Sequence, residues 1–148
     1  MVALRKILIV EDHPIFRMGM CELIDQEKDF VVCGSAEDVS EARELIKTEK
    51  PELVILDLSL QNSNGMELLK DLNKSHEEIF VLVLSLHEES LHAERCLLAG
   101  AKGYVMKHEA IESVIKAIRQ IFAGKKYISQ RIMERIVNKM GDQPFPDQ

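Results

Sequence analysis

The run Leu53-Val54-Ile55-Leu56-Asp57-Leu58 constrains this chain more than any other stretch. Branched apolar residues in unbroken succession suit a strand buried on both faces, as in the centre of a parallel sheet. An ionised carboxylate in the middle of such a strand would be costly to bury. At the carboxyl end the chain is about to surface, and in open α/β sheets that edge is where ligands bind. Asp57 therefore reads as a nucleophile placed to receive a phosphoryl group.

The rest of the chain supplies the sheet that such a strand needs. Apolar runs at residues 5–10, 30–33, 53–56, 80–84 and 103–106 read as five strands. Helical patterns fall between and after them. Residues 14–26 carry Ile15, Met18, Cys21 or Glu22, and Leu23 as the expected inward stripe, and residues 40–50 carry Ala42, Leu45 and Ile46. A third helix follows with Met66, Leu69 and Leu72, a fourth over 88–98, and a fifth with Ile111, Val114, Ile115, Ile118 and Phe122. Pro14 suits a first helical position, while Gly100 and Gly124 suit helix ends. Strand and helix alternate five times, which predicts an α/β fold: a doubly wound parallel sheet with helices on both faces. Beyond it, Ser129 can cap a sixth helix whose Ile132, Met133, Ile136, Val137 and Met140 share one face, ended by Gly141. Residues 143–148 read as linker. The chain thus divides into residues 1–124 and a C-terminal helix with linker over 125–148.

Composition excludes several classes. The 148 residues suit one domain with a sizeable core. A net charge of −6 argues against a nucleic-acid surface on this chain. The longest apolar run, residues 79–84, is too short to span a bilayer, so no membrane partner is expected. The N-terminus leads straight into a strand without a signal-peptide pattern. Cys21, Cys33 and Cys96 form no paired motif and read as small buried hydrophobes in a reducing, cytoplasmic compartment.

The chemistry collects at the carboxyl edge of the sheet. The first strand delivers Glu11 and Asp12, the third Asp57, the fourth Ser85 and the fifth Lys107. Clustered carboxylates repel unless a cation lies between them, and hard oxygen ligands suit Mg²⁺. Asp12, Asp57 and the backbone carbonyl of Ser59 are expected as direct ligands, with Glu11 in an outer shell. Ser85 can donate to a phosphoryl oxygen, and Lys107 supplies a compact positive charge. Such a set supports in-line attack by Asp57 on phosphorus. Taken singly, each residue has a plainer reading: strand-end carboxylates serve as caps and turn formers, and a lone serine or lysine can simply face solvent. Their joint fall at strand ends carries the phosphoryl-transfer reading.

Other chemistries lack their motifs. No Walker-type loop, G-x-G-x-x-G, H-E-x-x-H or G-x-S-x-G occurs. His13 and His87 lie near the active edge, where each can touch the site or stand solvated in its loop. A phosphatase of the haloacid dehalogenase type also uses an aspartate nucleophile with Mg²⁺, but carries a second aspartate two residues later, where this chain has Ser59. An interaction module that never needs phosphate is the third reading, against which stand the acidic set and Lys107.

The stretches Ile7-Leu8-Ile9-Val10-Glu11-Asp12-His13-Pro14, Leu56-Asp57-Leu58, Asn64-Gly65, Leu84-Ser85 and Gly100-Ala101-Lys102-Gly103-Tyr104-Val105-Met106-Lys107 resemble the receiver domain of two-component response regulators, over residues 6–124. The resemblance implies a flavodoxin-like sheet of order 2-1-3-4-5, phosphorylated on Asp57 by a sensor histidine kinase. It makes Glu11 and Asp12 the acidic pair, Ser85 the switch hydroxyl, Lys107 the phosphate-pairing lysine and Tyr104 the aromatic that reorients as Ser85 moves. Such a domain phosphorylates and dephosphorylates only itself, so a switch is expected rather than an enzyme. His13-Pro14, Gly103-Tyr104 and the Gly124-Lys125-Lys126-Tyr127-Ile128-Ser129 tail look like the LuxR/NarL-type subgroup, which continues into a helix-turn-helix domain. A chain truncated before that domain is expected, with DNA as partner of the full-length protein and a homodimer in prospect; a stand-alone receiver acting through protein contacts is the alternative. Two departures are visible: the loop after Asp57 lacks proline, and Leu86 stands after Ser85 where a small residue is common.

Overall fold

The computed structural model describes residues 3–86 and 90–142. Among the described residues, six strands and six helices follow one another: β1 Arg5–Val10, α1 Pro14–Asp25, β2 Phe30–Ala36, α2 Val39–Glu49, β3 Leu53–Asp57, α3 Gly65–Ser75, β4 Phe80–Ser85, α4 Ser90–Leu98, β5 Gly103–Met106, a 3-10 turn Lys107–Glu109, α5 Ala110–Phe122, β6 Tyr127–Ile128 and α6 Gln130–Asp142. His87, the expected start of the fourth helix at Glu88, and the linker at 143–148 lie outside the described residues. The sheet order is β2-β1-β3-β4-β5-β6 and every pairing is parallel.

The expected 2-1-3-4-5 order is present, with one strand more than the sequence predicts. Tyr127 N–H donates to the Lys102 carbonyl at 3.0 Å, and Tyr127 and Ile128 pair with Gly103 and Tyr104. The segment read as tail therefore continues the sheet. Ser129 caps α6 as expected, its Oγ accepting from Ile132 N–H at 3.4 Å.

Alternation along each strand sends side chains to two cores. In β3, Leu53 and Ile55 join Met20, Ile24, Val114 and Ile118 beneath α1 and α5. Val54 and Leu56 face the opposite layer, with Ala42 and Ile46 of α2, Leu68 and Leu69 of α3, Ala93 and Cys96 of α4, and Ile132 of α6. All five residues of β3 are buried.

Three expected faces shift. In α1 the inward row is Phe16, Met20 and Ile24, four residues apart, while Ile15 and Met18 are 79% and 68% exposed. In α5, Ala110, Ala117 and Ile121 pack inward beside Val114 and Ile118, and Ile111 faces out; alanines let the helix approach the sheet closely. In α6 only Ile132 is fully buried and Ile136 partly so, while Met133, Val137 and Met140 are exposed. β2 runs three residues past its expected end: after a bulge that pairs Ile7 with Val32 but Leu8 with Gly34, its pairing with β1 continues through Ser35 and Ala36. No helix among the described residues is long and apolar enough to cross a membrane.

Candidate functional site

Backbone pairing delivers the carboxylates to one edge. Glu11 N–H donates to the Ala36 carbonyl at 2.9 Å, holding the residue after β1 against β2, and Leu58 N–H donates to Leu84 at 3.0 Å beyond the end of β3. Glu11, Asp12 and Asp57 each offer an oxygen, and these oxygens lie within 4.8 Å of one another. Lys107, in the turn after β5, reaches in with Nζ 2.5 Å from Glu11 Oε1 and 3.2 Å from Asp57 Oδ2. Its ammonium also sits 5.1 Å from the centroid of the Phe16 ring, a cation–π geometry.

The loop after β3 folds over the acids. Ser59 N–H donates to Asp57 Oδ1 at 2.8 Å, and Gln61 N–H to Asp12 Oδ2 at 3.0 Å. Ser63 Oγ accepts from Val39 N–H at 3.1 Å, which ties the loop to the start of α2. Asn64 caps α3 through Glu67 N–H. A side chain at Gly65 would stand 3.2 Å from the Asp57 carbonyl, so the helix starts hard against the site.

Glu11 and Asp57 are fully buried. Burial, then the neighbouring Asp57, pushes the Glu11 carboxyl well above the usual carboxylate range, against the opposing pull of Lys107. Burial alone would lower the Lys107 ammonium, but Glu11 and Asp57 outweigh it and hold it above its ordinary value. Three carboxylates against one ammonium leave a deficit of positive charge. Among the described residues, Glu11 Oε2 and the Ser59 hydroxyl are buried with no hydrogen-bond partner. An all-oxygen set with orphaned buried acceptors fits a hard divalent cation.

Ser85 is the buried last residue of β4, paired in register with Met106, while Leu84 pairs with Asp57. Leu86, next in line, is 63% exposed. Tyr104 is fully buried in β5 with its ring edge-on to His92, centroids 6.0 Å apart. His13 takes the plainer of its two readings: exposed, it caps α1, its Nδ1 accepting from Phe16 N–H at 3.3 Å. Phe16, Ser63 and Arg17, which binds the Glu11 carbonyl, were not singled out by sequence reasoning. Only the position of Arg17 one helical turn beyond the acids offered a signal.

Residues 7–119 match the family described as the response regulator receiver domain. The chain belongs to that family. As a receiver it is the phosphorylation-dependent signalling switch of a two-component system. It is 32% identical over 145 residues to the response regulator GacA of Pseudomonas aeruginosa, covering 95% of this chain and 68% of that protein. It is 29% identical to the transcriptional regulatory protein DegU of Brevibacillus brevis, of which the receiver spans 57%. A crystal structure of a LuxR-family two-component response regulator from Aurantimonas sp. SI85-9A1 superposes with a TM-score of 0.88 at 30% identity, covering 95% of this chain and all of that one.

Proposed function

We propose that Asp57 accepts a phosphoryl group from a phosphohistidine of a sensor histidine kinase, in the cytoplasm, with Mg²⁺ held by Asp12, Asp57 and the backbone carbonyl of Ser59 and with Glu11 in an outer shell. The convergence of the three carboxylates with Lys107, 3.2 Å from Asp57 Oδ2, carries this reading. Bound at the acids, Mg²⁺ would supply charge neutralisation for the phosphoryl oxygens. The chain's own groups do the rest. An Asp57 oxygen attacks phosphorus in line, the phosphorus–nitrogen bond breaks, and the leaving imidazole takes up a proton. Lys107 exchanges part of its pairing with Asp57 for a phosphoryl oxygen, and the Ser85 hydroxyl donates to another. That pull on Ser85 favours a second packing of Tyr104 and α4, so phosphorylation shifts a population between two arrangements. No outside substrate is turned over: self-phosphorylation and self-dephosphorylation are the whole of the chemistry.

Residues 1–124 hold the phosphoryl-accepting site, and the C-terminal segment adds β6 and α6 to the same sheet and core. The output is transcription regulation through a DNA-binding domain of the full-length protein, a reading supported by the relatives named above. A stand-alone receiver working through protein contacts, including a homodimer, is favoured instead by the exposed Met133, Val137 and Met140 of α6.

Intact mass after incubation with acetyl phosphate and Mg²⁺ tests the site. One added phosphoryl group is expected, absent from Asp57→Asn and after chelation. A folded wild type that takes up none, from acetyl phosphate or from phosphoramidate, would overturn the reading.

A further inference from the structure

Arg17 is the fourth residue of α1. Helical side chains lean back toward the helix N-terminus, so its guanidinium returns to the chain just before the helix. There Nη1 donates to the Glu11 carbonyl at 2.9 Å, and Nη2 to Glu37 Oε1 at 3.2 Å. The Arg17 side chain is only 16% exposed, whereas Glu37 is 62% exposed. The carbonyl it binds belongs to the peptide that joins the two acids. Glu11 N–H is already fixed to Ala36, at 2.9 Å. Arg17 fixes the other side of the same residue, and the plane of that peptide sets the direction in which Asp12 leaves the chain. Asp12 has little else to hold it. It is half-exposed, and among the described residues its hydrogen bond is from Gln61 N–H.

We propose that Arg17 is a positioning residue for the cation site, acting through the Glu11–Asp12 peptide and touching neither cation nor phosphoryl group. Glu37 anchors it from the β2–α2 connection. The proposal rests on the assignment of Asp12 and Asp57 as cation ligands. Outer-shell groups that orient ligands are worth about 10–100-fold in metal affinity. Simple electrostatics predicts the reverse sign: removing a fixed positive charge beside three carboxylates should tighten cation binding. The direction of the change therefore separates positioning from charge.

The experiment measures Mn²⁺ binding by electron paramagnetic resonance and Mg²⁺ binding by calorimetry, on the full chain as wild type, Arg17→Ala, Arg17→Lys and Glu37→Gln. Arg17→Ala is expected to bind both ions about tenfold more weakly. Arg17→Lys, which keeps the charge and one donor, recovers part of the loss, and Glu37→Gln shows a smaller loss of the same sign. With acetyl phosphate, the Mg²⁺ requirement of Arg17→Ala rises far more than its maximal rate falls, which a merely unstable fold would not produce. Unchanged or tighter binding by Arg17→Ala, beside a wild type that binds normally, overturns the proposal. If Arg17→Ala does not fold, equal affinities of wild type, Arg17→Lys and Glu37→Gln overturn it. A wild type that binds neither ion overturns the assignment of the acidic cluster itself, and this proposal with it.

Discussion

Among the described residues, Lys107 alone brings a side-chain cation within ion-pair distance of Glu11 and Asp57. Removing one partner of a buried charged set strands the others. Lys107→Ala is expected to lower metal-free stability by about 3 kcal/mol, a loss tempered by proton uptake at the already raised Glu11. Added Mg²⁺ should restore part of it; urea denaturation with and without Mg²⁺ measures both, and equal curves for variant and wild type would remove Lys107 from the charge balance. Leu86 is a second test at this scale. Its exposed side chain follows Ser85, the last residue of β4, and we propose that it hinders the approach of water. Leu86→Ala is expected to shorten the phosphoryl-group lifetime, followed by intact mass; equal lifetimes would sink that role. That the acids and Lys107 meet at one edge was legible in the sequence because each follows an apolar run. Arg17 and Ser63 were not, because their partners, Glu11, Glu37 and Val39, are reached around loops. No linear spacing encodes those contacts.

Elements were legible in kind and less so in orientation. The proline and apolar residues of α1 announce a helix, yet two rows compete for its inward face. Phe16-Met20-Ile24 wins over Ile15-Met18 because only that row meets the sheet. In α6 the sequence shows one apolar stripe, whereas α4 and the sheet cover only its Ile132–Ile136 side, with Lys139 pairing to Glu94 of α4 at 3.2 Å. Amphipathic pattern reports how wide a face is, not how much of it a neighbour covers. The split has a measurable consequence. Ile132→Ala is expected to destabilise the fold by about 2–5 kcal/mol, and Val137→Ala by no more than about 0.5 kcal/mol, in the same denaturation assay. Similar losses at both positions would mean that α6 buries both sides.

The whole molecule is two cores on one sheet, and strand–helix alternation was enough to foresee it. The sixth strand was not foreseeable, since a two-residue pairing leaves no periodicity to read. At the far end of the sheet, Arg119 of α5 ties down the connection between α1 and β2, donating to Asp29 at 2.6 and 3.1 Å and to Glu27 at 2.6 Å. The hydrogen bonds from Arg119 hold the Asp29 carboxyl below its ordinary value of 3.8. A carboxylate depressed on folding stabilises the fold above its unfolded value, and that contribution is lost as pH falls through the folded one. The melting-temperature gap between wild type and Asp29→Asn should therefore be full near neutrality and close only below pH 3.8; a gap independent of pH would mean that the latch acts without charge.

β6 also changes how copies of the protein meet. Without it, the four residues of β5 would form a bare margin of unsatisfied peptide groups, the kind that recruits strands from other chains. Tyr127 and Ile128 cover half of that margin and are too short to template a further strand. The opposite margin, β2, is bent by its bulge. The outline of the sheet itself is thus expected to disfavour cross-chain fibre growth, even in salt strong enough to screen the net charge of −6.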